Sequence, residues 1–586
     1  MRRRYGIRWT PRRAPRWAAA GAGLLLVAGL VVSPAPTGVA ATLGPGGVDV
    51  DAATIPQLQD AMDRGKLTSV ALTRFYLDRI RDVDRRLLHA VLATNPDALG
   101  QARASDARRA KGSLRGPLDG IPVLLKDNIN TGGGLPTTAG SLALAKATPE
   151  DAFIVGKLNS GGAVLIGKAN LSEWANFRST QSSSGWSAVG GQTGNPYALD
   201  HNPCGSSSGS GAGVAADLAT VAIGTETDGS IVCPSGANGI VGVKPTLGRV
   251  SRTGIVPISA AQDTAGPMTR NVTDAAVSLA AVQGADPADP PTQGLDNPPD
   301  YTRFLDAGAL RGARIGVWRA GNTGLSNETD AIVDRTVDTL RERGATVADP
   351  ADLEGIEDVG GPEFDALLCE FKHDLNAYLA ATPGDHPRTL AELIAFNEAN
   401  AAREMPFFGQ ELFEAAQATS GDLSDPACAD PRRTATSLAR QAIDRTLAQH
   451  DLDAIIAPTG SPAWPTDVIN GDHFVLGTST PAAVSGYPSI TVPAGTAFGL
   501  PVGVSLIGPK ASEPELFALA YAFEQATHIR KPPRLARSAP ANDGIRPWPP
   551  RGAATTFSGP DGSPATSGAP AGPAVPGTRQ PYGTTR

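Results

Sequence analysis

Thr220-Val-Ala-Ile-Gly224, running on into Thr225-Glu-Thr-Asp-Gly-Ser230-Ile231, decides how this chain folds. The first five residues are short, apolar and partly β-branched, which predicts a core strand. The glycine-bearing turn after them presents a serine. Just upstream, Ser210-Gly-Ala-Gly-Val-Ala-Ala-Asp-Leu-Ala219 consists largely of small side chains, which suits a helix pressed closely on a sheet. A helix feeding a strand in this way is one unit of an α/β layer.

The same alternation extends in both directions. Residues from about 54 to 110 read as helices, with Thr68-Ser69 capping the helically spaced apolar run from Val70 to Ile80. Gly120-Ile-Pro-Val-Leu-Leu-Lys126 predicts a buried strand that ends at a lysine, Pro149 to Gly162 a helix, and Ala163 to Gly167 a further strand. Downstream, Ile240 to Thr246 is a strand and turn ended by proline. Gly312 to Trp318, a helix from about Asp330 to Arg343, and Ala345 to Val347 make a strand–helix–strand unit. Asp453 to Pro458, Ser489 to Pro493 and Val502 to Gly508 read as core strands, with a closing helix from about Glu513 to His528. Residues from about 350 to 450 are helical but less patterned, and are expected to wall or cover a pocket.

With 586 residues and 41% hydrophobic residues, the chain is long enough for one large α/β body or two smaller ones. The 67 glycines and 50 prolines follow no three-residue period, which excludes collagen. A net charge of -7 argues against a dedicated nucleic-acid binder. Seven arginines fall within the first 16 residues, followed by the apolar run Ala18 to Val32 and small residues up to Ala41. These are the three parts of a secretory signal, so residues 1–41 are read as a signal peptide, with cleavage near Ala41 and a secreted or cell-envelope location. The apolar run is short for a bilayer span of about 20 residues, and no stable membrane span is expected once it is removed. From Pro532 to Arg586 the composition turns to Pro, Gly, Ser, Ala and Thr. Such a segment cannot offset its ordering entropy by burial, so it is read as a disordered tail whose removal leaves folding intact.

Cys204 and Cys233 flank the serine motifs, while Cys369 and Cys428 lie far away. Their spacing matches no zinc pattern; it allows one disulfide and equally allows small buried thiols. Seven histidines form no cluster, so neither a metal nor a cofactor is expected.

A serine hydroxyl needs a base beside it to act as a nucleophile at neutral pH. His201, with Asp200, stands near the motif but in a loop before Pro203, where a surface or hydrogen-bonding role is the better reading. Lys126 is the alternative. A lysine in water has a pKa of about 10.4, and burial lowers it towards that of a base. The rival reading of Lys126 pairs it with Asp127 or another carboxylate. Pro203-Cys-Gly-Ser206-Ser-Ser-Gly-Ser-Gly211 lies between apolar segments and lacks the lysine of a phosphate loop, so it reads neither as a linker nor as a phosphate site.

Lys126, Gly205-Ser206-Ser207, Gly229-Ser230-Ile231, Gly239-Ile-Val-Gly-Val-Lys-Pro-Thr246 and Asp263-Thr-Ala-Gly-Pro267 together resemble the amidase signature family. The resemblance covers roughly residues 54 to 530. The blocks occur in the family's order, with the family's 24-residue interval from Ser206 to Ser230. It implies an α/β fold: a single large domain over 42–531 whose central mixed β-sheet is covered by helices. It also implies a Ser-Ser-Lys centre. By match Ser230 is the nucleophile, Ser206 a relay in a cis peptide, and Lys126 the final base. The backbone N–H groups of Thr227, Asp228, Gly229 and Ser230 correspond to the oxyanion hole.

The resemblance implies amide hydrolysis through an acyl-enzyme. Two departures bear on specificity. Asp228 replaces a glycine of the family's common run, so its carboxylate must point away from the anionic intermediate, and Val232 stands where arginine is frequent. The form Glu226-Thr-Asp-Gly-Ser230 and the block Glu370-Phe-Lys-His-Asp-Leu-Asn-Ala-Tyr-Leu379 resemble the branch with bacterial peptide amidases. That implies deamidation of C-terminally amidated peptides with release of ammonia. A broad aryl or aliphatic amide hydrolase and a non-catalytic cell-surface binding protein on the same fold are the alternatives. The partner expected is the amide or peptide-amide substrate, and no protein partner is indicated. Asn170-Leu-Ser-Glu173 and Trp174 read equally as pocket lining or as helix cap and core.

Overall fold

The computed structural model describes residues 43–539. The signal peptide read over residues 1–41 and the greater part of the tail lie outside the described residues.

The strands in chain order are β1 Val91–Thr94, β2 Pro122–Lys126, β3 Val164–Ala169, β4 Trp186–Ser187, β5 Gly191–Gln192, β6 Val221–Glu226, β7 Val241–Lys244, β8 Thr264–Thr269, β9 Arg314–Val317, β10 Thr346–Ala348, β11 Ala454–Pro458, β12 Ser489–Ala497 and β13 Leu500–Ile507. Among the described residues, eleven of them form one sheet in the order β1-β3-β2-β6-β8-β7-β12-β13-β11-β9-β10, and β4 and β5 form a separate hairpin. The sheet is mixed. Parallel pairs β2/β3 and β2/β6 lie on one side and β9/β10 and β9/β11 on the other, joined through antiparallel neighbours. β2, β3, β6, β7 and β8 are buried at every residue, the pattern of strands covered on both faces.

The helices are α1 Ile55–Asp63, α2 Ser69–Arg79, α3 Arg85–Leu87, α4 Ala98–Ala110, α5 Phe153–Ser160, α6 Ser208–Ala215, α7 Val232–Ala237, α8 Val272–Val282, α9 Asn327–Glu342, α10 Gly360–Ala381, α11 Leu390–Ala399, α12 Ala401–Glu404, α13 Glu411–Ala418, α14 Pro426–His450, α15 Thr480–Ser485 and α16 Glu513–Thr527. The Thr68 side chain accepts from the Ala71 N–H and starts α2, as its sequence position predicts. α6 is buried at all eight positions, as its small side chains require. No helix among the described residues is long and apolar enough to cross a membrane.

β8 is a strand that sequence pattern does not announce, because it holds Gly266 and Pro267 at the centre of the sheet. Pro267 faces Ile223 of β6, and a Cβ at Gly266 would collide with the Val243 carbonyl of β7. Gly266 is therefore required by close strand approach, and Pro267 stands where the β7 ladder, which ends at Met268, asks for no N–H. β1 is likewise missed inside a region read as helical.

α10 to α14 fill the 350–450 region. Phe371, Leu375 and Phe413 pack against Trp174 and Phe177 in a cluster separate from the main core. Cys369–Cys428 joins α10 to α14, and Cys204–Cys233 joins the loop before α6 to α7, so both cysteine pairs are disulfides.

The start of the tail, read at Pro532, needs correcting. Leu535 donates its N–H to the Pro196 carbonyl at 3.0 Å, and the Ala536 and Arg537 carbonyls accept from Leu199 and Asp200 at 2.8 and 3.2 Å. Arg530 makes a two-pronged pair with Asp51, both contacts 2.8 Å. The apolar Leu535 and the free backbone of residues 196–200 supply the burial and hydrogen bonds that composition alone did not reveal.

Candidate active site

Lys126 is the last residue of β2 and is completely buried. Its Nζ lies 2.7 Å from Ser206 Oγ, 2.9 Å from Thr225 Oγ1 and 3.1 Å from the Thr225 carbonyl. The carbonyl can only accept, so one amine hydrogen is committed there. Thr225 Oγ1 also accepts from Asn128 Nδ2 at 2.9 Å. A neutral amine satisfies this set by giving two hydrogens to Thr225 and turning its lone pair to the Ser206 hydroxyl. Burial lowers the lysine from 10.5 to about 7, and the negative charges of Asp263 and Glu226 keep it from falling further. Asp127, its neighbour in sequence, pairs with Lys168 instead.

Ser206 follows a cis Gly205–Ser206 peptide and is fully buried. Ser207 anchors the loop to the strand beneath it. Its hydroxyl donates to the Thr225 carbonyl at 3.0 Å and its N–H to the Ser230 carbonyl at 3.1 Å. The Cys204–Cys233 bond ties the same loop to α7.

Ser230 closes the turn after β6. Gly229 has φ +82°, a conformation that side chains with a Cβ rarely adopt, which accounts for glycine before the serine. Glu226 Oε2 accepts the N–H groups of Ile231 at 2.8 Å and Val232 at 3.0 Å and so braces the turn from below. Among the described residues, the N–H groups of Thr227, Asp228, Gly229 and Ser230 are taken by no hydrogen-bond acceptor. The Ser206 and Ser230 hydroxyls make no direct hydrogen bond with each other. Asp228 turns its Oδ2 to the Thr480 hydroxyl at 2.7 Å.

Two neighbouring cavities meet here. One of about 240 Å³ is lined by Ser206, Thr227, Asp263, Arg252 and Asp374 among others. The second, about 350 Å³, is lined by Gly205, Asp228, Gly229, Ser230, Asn176 and Phe474 among others. Ala175 lines both. Asp374 and Ala377 of α10 reach the first cavity, so the 350–450 region does wall the pocket.

Asp263 accepts from the Thr227 hydroxyl at 2.5 Å and from the Ile258 and Ser259 N–H groups at 2.8 and 3.0 Å, while burial pushes its carboxyl up to about 6. His201 pairs with Asp200 at 2.6 Å and lines neither cavity. Asn170, Glu173 and Trp174 resolve as buried framework. Asn170 Nδ2 donates to Thr193 Oγ1 and the Gly191 carbonyl, Glu173 pairs with Arg178 at 2.9 Å, and Trp174 packs on Phe413. The residues that do line the cavities follow them, at Ala175 and Asn176. Thr225, Asn128 and Thr480 were not singled out from sequence: their polar side chains carry no motif of their own, and only the approach of β2, β6 and α15 gives them partners. Glu226 was read only as part of the run ending at Ser230, and its bracing of that turn was missed. No group of three or more His, Cys, Asp or Glu side chains among the described residues is placed to hold a metal ion.

The profile of the Amidase family matches residues 71–517. The chain is similar to the native peptide amidase from Stenotrophomonas maltophilia, at 50% identity and a TM-score of 0.79, over 83% of this chain and 99% of that one. It is 42% identical to a probable amidase of Arabidopsis thaliana over 83% of this chain and 92% of the relative. It is also 35% identical to a subunit of the glutamyl-tRNA(Gln) amidotransferase of Moorella thermoacetica, over 82% of this chain and 98% of that relative.

Proposed function

Because this chain belongs to the amidase signature family and is an amide C–N hydrolase, we propose that it removes the terminal amide from C-terminally amidated peptides through a Ser230 acyl-enzyme. The observation carrying the mechanism is a fully buried Lys126 amine 2.7 Å from the Ser206 hydroxyl, beside a serine turn with four free N–H groups. Neutral Lys126 draws the Ser206 proton as Ser206 accepts that of Ser230. Ser230 Oγ bonds to the amide carbon, and the amide oxygen gathers negative charge facing the N–H groups of residues 227–230. The proton returns through Ser206 to the nitrogen as the C–N bond breaks, releasing ammonia. Water then attacks the ester, giving the free acid and Ser230. In the free protein the two serine hydroxyls are not yet bonded, and the bound amide brings them into line.

The peptide-amide reading is supported by the 50% identity to a peptide amidase along nearly all of that chain. Export is part of the same proposal, supported by the signal-like residues 1–41 and by two disulfides, bonds that persist in oxidising compartments. The test is ammonia release from amidated peptides, anilides and short aliphatic amides. Fastest turnover of the peptides, abolished in Ser230→Ala, is the expected result. Equal turnover across the panel makes the protein a broad amide hydrolase. Unchanged release by Ser230→Ala rejects the nucleophile.

A further inference from the structure

Asp228 occupies the turn where the family's common run has glycine, and it lines the same cavity as Ser230. Oδ2 is satisfied by Thr480, whereas Oδ1 is buried without a conventional donor. The Asp228 carboxyl is faced by the hydroxyl of Ser479 and by the carboxyl of Glu363, from the first turn of α10. Two ionised carboxylates only accept, so a hydrogen bond between them requires a proton. The other contacts of Glu363 strengthen the link. Its Oε1 accepts from Gln262 Nε2 at 2.8 Å, and that same Nε2 donates to the Thr227 carbonyl at 3.3 Å. α10 therefore grips the turn at both Thr227 and Asp228.

Among the described residues, neither carboxyl of the pair makes a direct ion pair with the cations around it. Lys244 faces Asp228 but spends hydrogens on the Ala482 and Tyr487 carbonyls. Arg432 faces Glu363 but is held two-pronged by Glu370, at 2.6 and 2.7 Å, and by Gln262 Oε1. Glu226 adds a further carboxyl behind the turn, occupied by Ile231 and Val232.

We propose that Asp228 and Glu363 share one proton, and that this pair positions the Thr227–Ser230 turn so that its N–H groups face the acyl oxygen. This rests on the reading of Ser230 as nucleophile. Glu363 is a positioning residue, acting through Asp228. While the proton is present, the pair carries one negative charge spread over two groups. Burial, chiefly, and then the Asp228 charge hold the Glu363 proton up to about 8. Loss of that proton puts a second negative charge beside the developing oxyanion and pushes the two side chains apart.

The experiment uses the full chain and its Glu363→Gln and Glu363→Ala variants, with kcat and KM for an amidated peptide followed against pH. The parent loses kcat above about 8. Glu363→Gln, whose amide N–H replaces the shared proton permanently, keeps activity there. Glu363→Ala loses about ten- to a hundredfold in kcat with little change in KM. Glu363→Gln restores most of that loss. Infrared difference spectra of parent minus Glu363→Gln read the proton without activity: a protonated-carboxyl band near neutral pH, gone in the alkaline range, is expected. Absence of that band overturns the shared proton. An alkaline fall retained in Glu363→Gln, or a folded Glu363→Ala with the parent's profile, overturns the positioning role. If Glu363→Ala does not fold, the Gln profile and the spectra decide. An inactive parent that shows the band defeats the assigned reaction while leaving the shared proton standing.

Discussion

Asp127 and Lys168 form a fully buried ion pair at 3.4 Å, and Lys126, next to Asp127 in sequence, is left outside it. Lys168 also donates to the carbonyls of Ile129 at 2.6 Å and Pro136 at 2.9 Å, while Asp127 accepts from the Thr138 N–H. Two adjacent strands, β2 and β3, thus bring buried lysines to the same end of the sheet with opposite assignments. One is neutralised by a carboxylate, and the other is bonded only to neutral groups.

That contrast predicts opposite outcomes for the same substitution. Lys168→Met strands a buried carboxylate and is expected to cost about 3–5 kcal/mol in denaturant unfolding. Lys126→Met abolishes turnover but melts no lower than the parent near neutral pH. The folded lysine releases its proton at about 7 and the unfolded one at 10.5, so the parent's penalty is full below about 7 and fades as pH rises to 10.5. Any stability gain of the variant shrinks over that range.

The same value sets an acid limb. The proposed relay needs the neutral amine, so kcat/KM is expected to rise with pH through about 7. The Asp263 charge holds the lysine up, and Asp263→Asn is therefore expected to move this limb to lower pH. A limb that stays in place or moves upward in the pH–rate profile removes Lys126 as its source.

The Cys204–Cys233 bond closes a 29-residue separation and joins the Ser206 loop to the helix after Ser230. Replacing both cysteines by alanine should cost about 3–4 kcal/mol in chemical denaturation and lower kcat as well. Removing Cys369–Cys428 should cost a similar amount with a smaller effect on kcat, because that bond holds helices and not the serine loop.

At the carboxyl side, the Arg530–Asp51 pair and the Leu535 strap set where the body ends. A chain stopped at Ala539 should melt like the full chain. One stopped at Ile529 leaves Asp51 unpaired and should lose about 3 kcal/mol. Equal melting temperatures would make the strap an ornament of the surface.

From sequence alone one could read the α/β alternation, the strands ending at Lys126 and before Ser230, and the order of the serine blocks. Short-range side-chain pattern controls local structure, and motif spacing survives in one dimension. The strand through Gly266 and Pro267 was invisible because its reason lies in neighbouring strands. The partner of Asp127 was undecidable because it comes from β3, about forty positions away. Residues Thr225, Asn128 and Glu363 acquire a role only when separate elements close on them and exclude water. Burial and hydrogen-bond pairing are properties of packing in three dimensions, so only the tertiary structure determined that Lys168 is the lysine paired with a carboxylate and that Lys126 is left to the Ser206 hydroxyl.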